Sequence, residues 1–202
     1  MTLNVGIYVY DNAEVLDFSG PYEVFSTAAR IKTRKEPKAP KAFDVFLIGD
    51  SQRVVNARAG FSVLPRYTIT NHPPLDVLII PGGVHHIEIE RPEILSWIAN
   101  MASCTEITAS VCTGSFILAS AGLLQGQPAT THWEDLGELQ TAFPDIAVQA
   151  GVRWVDLGNV ITSAGVAAGI DMSLHLVARL ENLELAQATA RQIDFPWEVV
   201  KS

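Results

Sequence analysis

The sequence predicts an α/β fold in which a mostly parallel β-sheet is covered by helices on both faces. Three observations predict it. Short runs rich in β-branched and aromatic residues alternate with longer segments at helical spacing, which is the pattern of βαβ units. One run, residues 75–80, is almost continuously apolar, as expected of a strand buried on both faces. Hydrophobic residues make up 48% of the 202 residues and charged residues only 18%, a balance that suits a buried core and excludes disorder.

The elements follow in order. Residues 3–10 are β-branched and aromatic and read as the first core strand. Residues 11–18 read as a loop carrying Glu14 and Asp17. Gly20-Pro21 opens a helix, since proline is favoured in a first turn, and Tyr22, Val24, Phe25 and Ala28 recur at helical spacing. The basic, proline-containing run 32–41 reads as a solvated loop. Residues 42–49 form the second strand, and pieces near Val54-Val55 and residues 61–64 form a hairpin appended to the sheet. The strand at 75–80 stops at Pro81-Gly82-Gly83. A helix spans 91–101, a strand 106–111 and a helix 113–121, with Gly122 in the stop position. A further helix ends near Phe143, two strands lie at 148–155 and 159–162, and two helices at 166–180 and 183–194. Gly165 and Gly169 have the spacing of close helix–sheet packing. No repeat or linker interrupts the chain, so residues 1–202 read as a single domain without a DNA-binding module.

The net charge of −8 argues against a nucleic-acid surface. No apolar run approaches the roughly 18 residues of a membrane span, and no secretory signal is visible. Two cysteines make no disulfide framework. Cys104 and Cys112 are eight positions apart along an extended segment, roughly 26 Å, which forbids a bond between them. Reduced thiols fit a cytoplasmic protein.

The chemistry concentrates where the 106–111 strand breaks into a helix at Cys112-Thr113-Gly114. Such an elbow sits at the carboxyl edge of a sheet, where open α/β folds bind ligands. It also sets a thiol at a helix N-terminus, an environment that lowers a cysteine pKa. Cys112 is therefore the candidate nucleophile, although free cysteine is also often an inert buried hydrophobe. Gly82 and Gly83 end the neighbouring strand, and their N–H groups are candidate oxyanion donors. Asp17 is the candidate acid; a lone loop carboxylate is usually solvated or a cap, and Glu23 and Glu14 remain alternatives. His132 reads either as a base near the thiol or as a polar residue at a helix start. His85 and His86 border the Pro-Gly-Gly turn, but adjacent side chains do not share one direction, so no metal site is read there. Asp171 and His175 share a helix face and read as a structural pair.

Taken together, residues 16–25, 76–83, 109–115, 129–133 and 153–171 resemble the ThiJ/PfpI superfamily, of the class I glutamine amidotransferase-like fold. Within it the chain is similar to the branch of isonitrile hydratases and the ligand-sensing domains of AraC-type regulators. The resemblance implies a flavodoxin-like three-layer sandwich, a homodimer, and a small-molecule substrate with no metal or organic cofactor. It assigns Cys112 as nucleophile with Asp17 and Thr113 as further catalytic positions, and sets His132 where several members carry a histidine near the thiol without fixing its role; with Gly82 and Gly83 it completes the candidate oxyanion and substrate-binding residues. The reaction it implies is hydration of an isonitrile to an N-substituted formamide. The alternatives are a small-molecule or redox sensor without turnover, and amidase, peptidase or glyoxalase-type activity.

Overall fold

A computed structural model describes residues 1–198. In chain order the elements are β1 (Leu3–Tyr8), α1 (Val15–Lys35), β2 (Phe43–Gly49), β3 (Val55–Asn56), β4 (Ser62–Val63), β5 (Tyr67–Thr68), β6 (Val77–Ile80), α2 (Pro92–Ala102), β7 (Ile107–Val111), α3 (Gly114–Ser120), β8 (Pro128–Ala129), α4 (Leu136–Ala142), β9 (Ala147–Val148), β10 (Trp154–Asp156), β11 (Val160–Ser163), α5 (Ala168–Leu180) and α6 (Leu183–Gln192).

Seven strands form one sheet in the order β10-β11-β7-β6-β1-β2-β5. All neighbours run parallel except β10 against β11. The centre is the most apolar part. Val5 lies opposite Val45 on one side and Val77 on the other, and Ile79 opposite Ala109. Every residue of β6 and β7 is buried, as expected of central strands covered on both faces, Thr108 and Ser110 included. Helices α1, α5 and α6 pack together on one face, and α2 and α3 on the other. The chain leaves β1 toward β2 on one side and then builds β6, β7 and β11 on the other. The strand order therefore reverses beside β1, and the carboxyl ends of β1, β6 and β7 frame the crevice where such sheets take ligands.

Four sequence expectations change. Helix α1 starts at Val15, so Asp17 is in its first turn rather than in a loop, and Pro21 lies inside the helix rather than at its start. The N–H that Pro21 lacks would have bonded near the helix start, while Phe18, Val24, Phe25, Ala28 and Ile31 bury one face of the helix; that burial outweighs the missing bond. The basic run is partly helical: Lys32, Arg34 and Lys35 occupy the last turn of α1, where the helix dipole favours cations. Lys32 pairs with Glu181 and Lys35 with Glu184 across to the C-terminal helices. The hairpin of β3 and β4 forms its own antiparallel ribbon and does not extend the sheet, whose edge is the two-residue β5. Residue Val148 likewise belongs to a separate ribbon, β8 with β9, and the strand that follows starts only at Trp154.

The elbow depends on one glycine. A Cβ on Gly114 would stand 2.2 Å from the Ile80 carbonyl oxygen, so α3 can seat on the end of β6 only without a side chain there. Gly114→Ala is expected to cost more than about 2 kcal/mol in urea unfolding, as overpacking against backbone does; an unchanged midpoint would contradict this packing.

Candidate active site

Cys112 closes β7 with φ of 56°, in the left-handed region. For a residue with a Cβ that costs roughly 1–2 kcal/mol. The surrounding bonds hold it there. The Cys112 carbonyl accepts from the Thr131 hydroxyl at 3.0 Å and the Ser115 hydroxyl at 3.2 Å. Its N–H donates to the Ser163 carbonyl at 3.2 Å. Residues from β7, α3, the segment after β8 and the end of β11 thus fix the thiol together.

The same crevice receives Asp17, Gly82, Gly83 and Thr113. The Gly82 N–H donates to Asp17 Oδ2 at 3.0 Å, and the Gly83 N–H donates to the Thr113 hydroxyl at 2.9 Å. That hydroxyl donates in turn to the Gly83 carbonyl at 3.1 Å. A Cβ on Gly82 would lie 2.6 Å from the Thr113 nitrogen and 2.9 Å from Asp17 Oδ2, so this close approach also needs glycine. Both glycine N–H groups are therefore occupied in holding the acid and the threonine. The N–H that acts on the thiol is that of Thr113, which pulls the Cys112 pKa down.

Electrostatics at the pair differ from the sequence expectation of a lowered thiol pKa. Burial, then the charge of Asp17, push the Cys112 thiol well above its ordinary value, and the Thr113 N–H only partly opposes them. Asp17 is fully buried, and its Oδ1 has no hydrogen-bond partner. Burial raises its pKa from 3.8 to about 7, against the lowering effects of the Gly82 N–H and the Cys112 thiol. At neutral pH the pair therefore exchanges between two bound protons and one.

The thiol opens into a cleft of about 410 Å³ lined by residues that include Glu14, Arg58, His85, His86, His132, Asp135 and Val166. A larger groove of about 670 Å³ runs along α1 and β2 but holds none of these groups. His132 stands beside the thiol: a Cβ on Gly165 would meet its ring at 2.2 Å and Cys112 Sγ at 3.2 Å. Its Nδ1 lies 3.3 Å from Asp135 and accepts from the Glu134 N–H at 3.4 Å. Among the described residues it makes no hydrogen bond to Cys112. Gly169, four residues on, would press a Cβ against Val111 at 2.8 Å, the close packing expected of that glycine pair.

Other candidates resolve differently. Glu23 is an exposed partner of Arg30 and Thr27 and takes no part in the cleft. Glu14 lines the cleft and lies 3.7 Å from Arg58. Asp171 pairs with Arg153, and His175 with Asp156, so the two do not pair with each other. The rings of His85 and His86 are 4.4 Å apart, contrary to the divergence expected of neighbours, because the turn after β6 folds them to one side. Arg58, Asp135 and Glu138 had no sequence signal. They reach the cleft from a short 3₁₀ turn and from the start of α4, which no motif marks.

A mostly parallel α/β sandwich with a left-handed cysteine at a strand–helix elbow, faced by a buried carboxyl, defines a class of elbow-cysteine α/β proteins. The chain belongs to the DJ-1/PfpI family, whose pattern matches residues 4–179. It is 32% identical over 196 residues to an isonitrile hydratase of Pseudomonas putida, covering 96% of this chain and 79% of that one. It is 30% identical to the HTH-type transcriptional regulator GbdR of Pseudomonas aeruginosa over 92% of its length, which spans only 48% of the regulator. A solved ThiJ/PfpI family protein from Pseudomonas syringae superposes with a TM-score of 0.84 at 28% identity, over all of this chain and 78% of that one. The flavodoxin-like sandwich is thus the family's own fold. No helix among the described residues is long and apolar enough to cross a membrane.

Asp17 binds a proton in the folded state that it has lost in the unfolded state between about pH 4 and 7. Stability conferred at low pH is consequently lost across that window, by on the order of 4 kcal/mol at most. Urea unfolding from pH 4.5 to 8 is expected to show this decline in the wild type and a flatter profile in Asp17→Asn. Parallel profiles would contradict a raised Asp17.

Proposed function

We propose that the protein hydrates an isonitrile, R–NC, to an N-substituted formamide through a covalent adduct on Cys112. The observation that carries the reading is the buried Asp17 beside a strained elbow cysteine in a narrow cleft, together with the likeness to the Pseudomonas putida enzyme.

The terminal carbon of an isonitrile is unhindered and electrophilic toward sulfur. Addition breaks the S–H bond and forms an S–C and a C–H bond, giving the thioimidate Cys–S–CH=N–R. Asp17 takes the thiol proton and returns it to carbon, a transfer suited to a group that titrates near the working pH. Water then adds to the thioimidate carbon, with one hydrogen passing to nitrogen. The C–S bond breaks, the new hydroxyl gives its proton back to sulfur, and the formamide leaves. Asp17 serves this step too, positioning the water and relaying its protons. The Thr113 N–H stabilises charge on sulfur, while Gly82 and Gly83 contribute by fixing Asp17 and Thr113. His132 bounds the substrate. Its Nδ1 is turned to Asp135 and Glu134, and among the described residues it makes no hydrogen bond to Cys112, the bond that a base for amide cleavage would use. The working unit in this reading is a homodimer, which sedimentation at micromolar concentration checks.

The competing reading is a sensor that binds a small molecule without turnover, favoured by the likeness to the regulator. Steady-state turnover of cyclohexyl isocyanide separates the two. Wild type is expected to release the formamide, Cys112→Ala to be inactive, and Asp17→Asn to lose at least a hundredfold in kcat. Tight binding with no turnover would support the sensor; equal activity in all three proteins would sink the mechanism. The active pair holds one proton, whichever atom carries it. Hence kcat/KM is expected to rise with pH through an apparent pKa near 7, and a profile falling through that range would contradict the assignment.

A further inference from the structure

The mouth of the cleft carries a second cluster that the proposed reaction does not use. One ring nitrogen of His85, one of His86 and one carboxylate oxygen of Glu138 all lie within 4.8 Å of one another. His85 is buried, yet neither of its ring nitrogens has a hydrogen-bond partner. An unpartnered buried imidazole is costly, and such groups call for an explanation. Packing explains only the ring: it stacks on Phe116 with centroids 4.4 Å apart, and His86 covers it from another side at 4.4 Å.

We propose that His85, His86 and Glu138 bind a divalent first-row transition ion of the zinc type. Two imidazoles and one carboxylate favour such an ion over calcium or magnesium, which prefer all-oxygen shells. Three protein donors leave a coordination position open toward the cleft. Tetrahedral coordination at about 2.0–2.1 Å sets donors about 3.3 Å apart. His86 and Glu138 are exposed and free to close that remaining distance around the buried His85. Glu14, Glu134 and Asp135 line the same cleft against one Arg58, which adds a field attracting a cation. The site is independent of the isonitrile reading, since it contains neither Cys112 nor Asp17.

Calorimetric titration of the untagged full chain with zinc chloride tests it, with cobalt(II) absorption as a second readout of donor type. One ion per chain is expected, retained in Cys112→Ser and Cys104→Ser. His86→Ala and Glu138→Gln are each expected to weaken binding tenfold or more. His85→Phe preserves the stack on Phe116 and is expected to abolish binding with the fold intact by circular dichroism. Absence of stoichiometric binding, a loss smaller than tenfold in both surface variants, or a loss only on replacing a cysteine would each overturn the proposal. None of these results bears on whether the protein turns over isonitriles.

Discussion

The hydrogen bond from the Gly82 N–H to Asp17 is the contact on which the site depends. It brings a carboxyl from the first turn of α1 to the end of β6, away from water, and one residue from where α3 begins. Without it the carboxyl would have no reason to stay buried. With a single N–H on one oxygen and none on the other, the acid is held but not fully satisfied. Burial raises its pKa to about 7, and the single Gly82 N–H only partly opposes that rise. A carboxylate bound by several N–H groups would stay ionised and make a weak proton donor. One with none would be driven neutral and hold its proton throughout the working pH range.

The rest of the crevice is organised around the same economy of space. The ends of β1, β6 and β7 meet where the strand order reverses, and glycine at Gly82 and Gly114 lets three backbone segments close to contact distance. Thr113 locks to Gly83 through both its donor and its acceptor, so the residue after Cys112 is held in place. Cys112 is forced into a left-handed conformation and is secured by hydroxyls from Thr131 and Ser115. Strain and an undersatisfied acid both reduce stability, and both sit at the point of proposed chemistry. The central sheet, fully buried in β6 and β7, is what offsets them.

Much of the fold was legible because apolar periodicity reports burial directly. The strands ending at Tyr8, Gly49, Ile80, Val111 and Ser163 stand out as continuous or alternating apolar runs, and Cys112 is marked by the change from strand to small-residue helix. The misreadings have specific causes. Pro21 carries a strong local signal for a helix start, but a buried face extending back to Phe18 overrides it and puts Asp17 inside the helix. The two-residue strand β5 is too short to show a period. The thiol pKa followed from burial and from Asp17, neither of which the local strand–helix context reveals. Glu138 reaches the two histidines only because α4 folds back over the cleft, a long-range placement with no sequence mark. Gly82 and Gly83 end the strand beside Cys112, as the apolar run and its Pro-Gly-Gly stop imply, but the partners of their N–H groups come from residues 65 and 30 positions away.

The most direct measurement of the Asp17–Cys112 pair is a carbon-13 NMR titration of the Asp17 carboxyl in selectively labelled protein, with Cys112→Ser as a companion. The carboxyl is predicted to titrate near pH 7 in the wild type and to shift when the thiol is replaced. A carboxyl already ionised at pH 5, unmoved by loss of the thiol, would contradict the buried, proton-exchanging pair from which the chemistry has been derived.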